Sequence, residues 1–227
     1  MDKPVTSDWK QVRLLVFDLD GTLVDSKQDL ALSVNAMRRE MGLAPLPLDQ
    51  IASYVGHGVT LLVRRSLGTL ATDENVEKGL AFFLSYYRDH MLDNTAPYPG
   101  VGEALEKLAG HKMAVLTNKP VHFSREMLTR LGFASHFEYI YGGNSFPQKK
   151  PDPAGLYKLM EDLQISARAT LMVGDSDTDV LTGRNAGVWT CGVTYGFGAH
   201  TLQAVPPDLV IDDMRELLPL LNGHAKA

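Results

Sequence analysis

The stretch Val12-Arg13-Leu14-Leu15-Val16-Phe17-Asp18-Leu19-Asp20-Gly21-Thr22-Leu23-Val24-Asp25-Ser26 decides the fold. Its first six residues form a compact apolar run that breaks at once into Asp, Gly and Thr. A run this short, closed by turn formers, reads as a strand buried on both faces of a parallel sheet. Three more runs end in the same way. Residues 113–116 precede Thr117-Asn118, residues 170–173 precede Gly174-Asp175, and residues 208–211 precede Asp212-Asp213. Residues 137–141 and 188–193 carry weaker strand signals. Helical periodicity fills the intervals at 102–109, 123–131, 154–163, 180–186 and 214–221. Strands alternating with helices give right-handed βαβ units, so the expected fold class is α/β, a doubly wound parallel sheet.

One interval breaks the alternation. Between about residues 27 and 95 there is only helical periodicity, at 30–41, 48–55, 59–67 and 75–93, with joints at Ala44-Pro45-Leu46-Pro47 and 68–73. This reads as a helical unit inserted after the first strand, dividing the chain into a core of 1–22 and 95–227 and an insertion of 23–94. A length of 227 residues suits one domain carrying such an insertion. A hydrophobic content of 44% supplies a real core, and a net charge of −5 argues against a nucleic-acid partner. The single cysteine, Cys191, excludes a disulfide framework or a cysteine metal cluster and reads as a buried core residue. No run of about 18 apolar residues exists to span a membrane, and residues 1–10 lack an apolar signal core. The expectation is a soluble, cytoplasmic protein with a frayed tail at 222–227.

Ligands of open α/β sheets bind outside the carboxyl ends of the strands, where strand order reverses. Those ends hold Asp18 and Asp20, Thr117 and Asn118, and Asp175, Asp177 and Asp179; Lys149-Lys150-Pro151 follows a weaker strand. Each residue alone could be a turn former or a helix cap. Together they offer carboxylates, a hydroxyl, an amide and a fixed cation, which suits a hard cation such as Mg²⁺ and a phosphate. Asp175-Ser176-Asp177-Thr178-Asp179 is not an EF-hand loop, because Val180 and Ala186 hold the positions that need Gly and Glu. No P-loop is present, and Gly56-His57-Gly58 lacks the third glycine of a dinucleotide fingerprint.

The segment from Asp18-Leu19-Asp20-Gly21-Thr22 to Ser26 resembles the first motif of the haloacid dehalogenase superfamily of phosphohydrolases. Thr117-Asn118 is similar to its second motif, Lys150-Pro151 to its third, and Gly174-Asp175-Ser176-Asp177-Thr178-Asp179 to its fourth. The resemblance covers residues 12–215 in the expected order. It implies a Rossmann-like core whose inserted helices form a cap. Within the superfamily the chain most resembles phosphoglycolate phosphatases, through Val55-Gly56-His57-Gly58-Val59, Pro97-Tyr98-Pro99-Gly100-Val101 and Thr194-Tyr195-Gly196.

The resemblance assigns Asp18 as nucleophile and Asp20 as general acid and base. Thr117, Asn118 and Lys150 would bind the phosphoryl group, and Mg²⁺ would be held by Asp18, the Asp20 carbonyl and Asp175. Asp179 is either an acid bonded to metal waters or the partner that orients Lys150. Asp25 and Ser26 fit the first motif and position the entrance to the cap. Lys149 and Asp177 read as solvated charges. For substrate selection the cap offers Gly56, His57 and Gly58, with Arg64 or Arg65 for a substrate carboxylate; an exposed helix face is the alternative for the arginines. Phe82, Phe83, Tyr86 and Tyr87 read as cap core. The implied activity is a Mg²⁺-dependent phosphatase for a small phosphorylated metabolite such as 2-phosphoglycolate, acting through an aspartyl-phosphate. A phosphosugar mutase, pyrophosphatase or nucleotidase would use the same chemistry. A phospho-receiver signalling module, from another class, is disfavoured by the motif order and the inserted helices.

Overall fold

The computed structural model describes residues 9–222, so the expectations for the signal region before residue 9 and for the tail beyond Asn222 lie outside it. A six-stranded parallel sheet forms the core. Its strands are β1 (Leu14–Phe17), β4 (Lys112–Leu116), β5 (Tyr139–Tyr141), β6 (Thr170–Gly174), β7 (Trp189–Val193) and β8 (Leu209–Ile211). They lie in the order β5-β4-β1-β6-β7-β8, with every pairing parallel. The chain moves outward from β1 through β4 and β5, then returns to the other side of β1 at β6. That reversal is the topological switch point where ligands bind in this class of sheet.

Alternate residues of β1 supply two separate cores, as a pleated strand requires. Leu15 and Phe17 join the cluster containing Val101 and Leu105 of α5 (Val101–Lys107), Phe123 of α6 (Val121–Arg130) and Leu217 of α9 (Leu217–Asn222). Leu14 and Val16 face Leu156 and Leu159 of α7 (Ala154–Leu163) and Ala186 of α8 (Asp177–Ala186). Helix α8 begins three residues before its apolar periodicity. Ser176 and Asp179 form a capping box at its start, which sets the boundary ahead of the first buried apolar residue, Val180.

Between residues 27 and 90 the chain is helical: α1 (Lys27–Glu40), α2 (Leu48–Ala52), α3 (Val59–Leu67) and α4 (Asp73–His90). Val34, Met37, Leu62, Val63, Val76 and Phe83 are buried among these helices. Thr72 caps α4 by accepting the Asn75 N–H at 3.2 Å. The chain enters this helical unit through β2 (Val24–Asp25) and leaves through β3 (Ala96–Pro97), and these pair antiparallel, Val24 with Pro97 and Asp25 with Ala96. Buried Asp29 ties the exit to α1. Its carboxylate accepts the Asn94 N–H and side-chain amide and the Thr95 N–H and hydroxyl, at 2.7–3.1 Å. No described helix is long and apolar enough to cross a membrane.

Candidate active site

Asp18 follows β1, Thr117 to Lys119 follow β4, and Asp175 follows β6, so the parallel register delivers them to the same edge of the sheet. The Asp18 N–H donates to Val173 O at 2.9 Å, extending the ladder by one residue. A tight turn follows, in which Leu19 O accepts the Leu23 and Val24 N–H groups at 2.9 and 3.1 Å. The turn needs Gly21 at φ +86°, where a Cβ would stand 2.4 Å from Asp175 Oδ2. Glycine is therefore required both by conformation and by the closeness of the acid.

Asp18, Asp175 and Asp179 are all buried, and one carboxylate oxygen from each lies within 4.8 Å of the others. The Lys150 ammonium is the cation among them, 2.6 Å from Asp179 Oδ1 and 3.0 Å from Asp18 Oδ1. Asp18 Oδ1 also accepts the Leu19 N–H at 2.7 Å, whereas its Oδ2 has no partner among the described residues. Asp179 Oδ2 accepts the Ser176 N–H and hydroxyl at 3.1 and 2.8 Å, so both oxygens of Asp179 are engaged within the protein. Of the two roles open to Asp179, orienting Lys150 is the one with a contact.

Asp175 accepts the Gly198 N–H at 2.7 Å and the Thr22 hydroxyl at 3.4 Å, and bonds no cation among the described residues. Burial pushes its carboxyl up to about 8, with Asp179 and Asp18 adding to the effect. Burial raises Asp18 to about 6 against the downward pull of Lys150. Three buried carboxylates facing one ammonium, all oxygen donors and with Asp18 Oδ2 unclaimed, fit a hard divalent cation.

The Asp20 carboxylate faces another way. Ser26, which the sequence assigned only to the cap entrance, donates its hydroxyl to Oδ1 at 2.5 Å, and the Lys119 ammonium lies 3.0 and 3.2 Å from the two oxygens. Lys119 also donates to Tyr87 Oη of α4 at 2.6 Å. The side chain of Asn118 ties two loops together. Its amide accepts the Lys150 N–H at 2.9 Å and donates to Lys150 O at 3.0 Å and to Gly56 O at 2.8 Å. It thus clamps the lysine loop and the cap loop to the end of β4.

Between core and cap lies a cleft lined by Asp18, Asp20, Thr117, Asn118, Lys119 and Asp175 from below and by residues 55–59, Leu62, Leu84 and Tyr87 from above. Gly56, His57 and Gly58, the candidate cap loop, line this cleft. Arg64 does not line the cleft. Its guanidinium bonds Asp73 Oδ1 at 2.6 Å and Ala71 O at 3.2 Å, and Arg65 is exposed. Lys149 is exposed and Asp177 half-buried, whereas Cys191 is buried in β7.

A sequence model describing haloacid dehalogenase-like hydrolases matches residues 15–193. The chain belongs to this family. It is 42% identical over 218 residues to a phosphoglycolate phosphatase of Neisseria meningitidis, covering 92% of this chain and 93% of that one. A phosphoglycolate phosphatase of Vibrio parahaemolyticus is 40% identical over 227 residues, covering 95% and 99%. The crystal structure of a predicted phosphoglycolate phosphatase from Haemophilus somnus superposes with a TM-score of 0.88 at 32% identity, covering 92% and 98% of the two chains.

Set in this hydrolase fold, several residues that line the cleft have no functional assignment from the sequence. Lys119 follows the second motif directly, and a charged residue at a parallel strand's carboxyl end was the available signal. Tyr87 reads as cap core, and it is buried there against Phe83 and Phe123, but it also lines the cleft, with its hydroxyl on the Lys119 ammonium. Phe197, Gly198, His200 and Thr201, after β7, also line it and carry no periodic signal.

Proposed function

We propose that this hydrolase is a Mg²⁺-dependent phosphatase acting on 2-phosphoglycolate or a closely similar small phosphate ester through an aspartyl-phosphate. The observation that carries the reading is the unclaimed Oδ2 of Asp18 at the floor of the cleft, on a carboxylate fixed through Oδ1 by Lys150 and Leu19. The similarity to curated phosphoglycolate phosphatases supports the choice of ester. Asp18, Asp175 and the Asp20 carbonyl are the groups that would hold Mg²⁺. When bound, the cation screens the repulsion between a carboxylate and a phosphate dianion.

In the first step Asp18 Oδ2 forms a bond to phosphorus while the ester P–O bond breaks. Asp20 gives its proton to the departing alkoxide. In the second step Asp20 takes a proton from water, whose oxygen attacks phosphorus, and the Asp18–phosphate bond breaks to release inorganic phosphate. Lys150 offsets charge on the phosphoryl oxygens and on Asp18 throughout. Thr117 supplies a hydroxyl beside them. The division at the β2–β3 ribbon, with residues 23–94 as cap, belongs to the same proposal: the cap covers the cleft and keeps bulk water from the first step.

Asp18→Asn should leave a folded protein whose turnover of phosphoglycolate falls at least about 1,000-fold, and excess EDTA should stop the wild-type enzyme. Steady-state turnover in the purified variant above a tenth of wild type would remove Asp18 from its role.

A further inference from the structure

Lys119 takes no part in the steps above. Among the described residues lining the cleft it is the only lysine or arginine, and its side chain is only 4% exposed. A buried ammonium has to be paired, and its partners come from both units. Asp20 lies on the core side, at 3.0 and 3.2 Å, and Tyr87 on the cap side, with its oxygen at 2.6 Å and its ring centroid at 4.5 Å from Nζ. In accepting from Lys119, Tyr87 keeps its own O–H, which meets no acceptor among the described residues. Beside Asp20 the cleft therefore offers a cation and an unspent hydroxyl donor.

The ester oxygen must come to Asp20 to be protonated. A group carried on the carbon next to that oxygen then has to lie close to whatever surrounds Asp20, and Lys119 is its neighbour. We propose that Lys119, together with the Tyr87 hydroxyl, receives a substrate carboxylate borne on the carbon next to the ester oxygen, and so selects phosphate esters of 2-hydroxy acids; this rests on the phosphatase reading above. The carboxylate takes the N–H now shared with Asp20 Oδ2, the longer of the two contacts, and the O–H of Tyr87. Asp20 Oδ1 stays anchored to Ser26 at 2.5 Å, so Oδ2 is released to face the ester oxygen. Because Tyr87 belongs to α4, the same contact also draws substrate, core and cap together.

Ethyl phosphate is the matched probe, with a methyl group where phosphoglycolate has its carboxylate. The measurement is the ratio of kcat/KM for phosphoglycolate to that for ethyl phosphate in wild type, Lys119→Met and Tyr87→Phe, each checked by thermal melting. Charge-assisted contacts of this kind are worth about 10–150-fold. The ratio should fall about 30–100-fold in Lys119→Met and about fivefold in Tyr87→Phe, and the substrate-specific part should appear in KM. Any loss through Asp20 is common to both esters and cancels in the ratio. A ratio unchanged in both variants, with both esters slowed equally, would make Lys119 only a prop for Asp20 and overturn the proposal. If Lys119→Met fails to fold, an unchanged ratio in Tyr87→Phe overturns it alone. A wild-type enzyme that hydrolyses neither ester refutes the phosphatase reading itself, and one that hydrolyses both without preference refutes the carboxylate selection.

Discussion

Replacing Lys150 with Met removes the cation bonded to buried Asp18 and Asp179. The lysine side chain is 2% exposed, and its partners Asp179 and Asp18 are 2% and 11% exposed. Breaking a buried pair by deleting one member costs about 3–5 kcal/mol, because a charge is left without compensation. Burial alone would lower the Lys150 pKa, but Asp179 and then Asp18 outweigh it and hold it above its ordinary value. A lysine with a raised folded pKa stabilises fully below its unfolded pKa, near 10.4, and loses that contribution only at higher pH. At pH 8 the whole loss is therefore visible. At about 2–4 °C per kcal/mol for a chain of this size, the melting temperature in EDTA should drop by about 6–20 °C. Asp179→Asn in that background should recover part of the drop, since it removes one stranded charge while its side-chain oxygen can still accept from Ser176. The assay is calorimetric or fluorescence melting of wild type, Lys150→Met and the double variant. A Lys150→Met protein melting within 2 °C of wild type, or a double variant no more stable than the single one, would refute the electrostatic account of the cluster.

Metal binding should be linked to protons. With Asp175 near 8 and Asp18 near 6 in the metal-free protein, Mg²⁺ uptake at pH 7 should release about one proton, chiefly from Asp175, and affinity should climb from pH 6 to 8 and then level. Titration calorimetry in two buffers of different ionisation enthalpy measures this directly. The same shifts mean that the metal-free fold holds protons the unfolded chain has already lost. Its stability should therefore fall as pH rises from about 4 to about 8, and saturating Mg²⁺ should flatten that slope in pH-dependent melts. Gly21→Ala would place a Cβ 2.4 Å from Asp175 Oδ2 at φ +86°. It should cost about 1–3 kcal/mol in denaturant unfolding and lower kcat/KM at least about 100-fold, by displacing the acid.

The core was legible because each strand announces itself twice, as an apolar run and as the polar residue that ends it. Asp18, Asn118 and Asp175 are at once turn formers and residues that line the cleft, so the strand ends and the cleft floor are readable from the same positions. Helix boundaries set by capping rather than by burial, as at Ser176, lay outside the apolar pattern. The β2–β3 ribbon was invisible for a different reason: two-residue strands paired across some seventy residues leave no local signature. Lys119 and Tyr87 were missed because their meaning lies in their pairing. A lysine after a strand and a tyrosine on an amphipathic helix are ordinary until the fold sets Nζ 2.6 Å from the phenol oxygen. Arg64 illustrates the reverse. A carboxylate ligand and an exposed helix face are both open to it in the sequence, and in the fold it pairs with Asp73, nine residues on.

Entry and exit of the helical unit are pinched together, by Val24 against Pro97, Asp25 against Ala96, and Asp29 gripping Asn94 and Thr95. To the sheet, everything between is one closed loop whose ends are bonded together. The entropy of such a loop grows only with the logarithm of its length, by about 0.6 kcal/mol for each doubling. Helices can therefore be lengthened, shortened or exchanged beyond the pinch without stretching β1 away from β4. The chemistry at the strand ends and the choice of what is brought to it can thus change separately along one continuous chain.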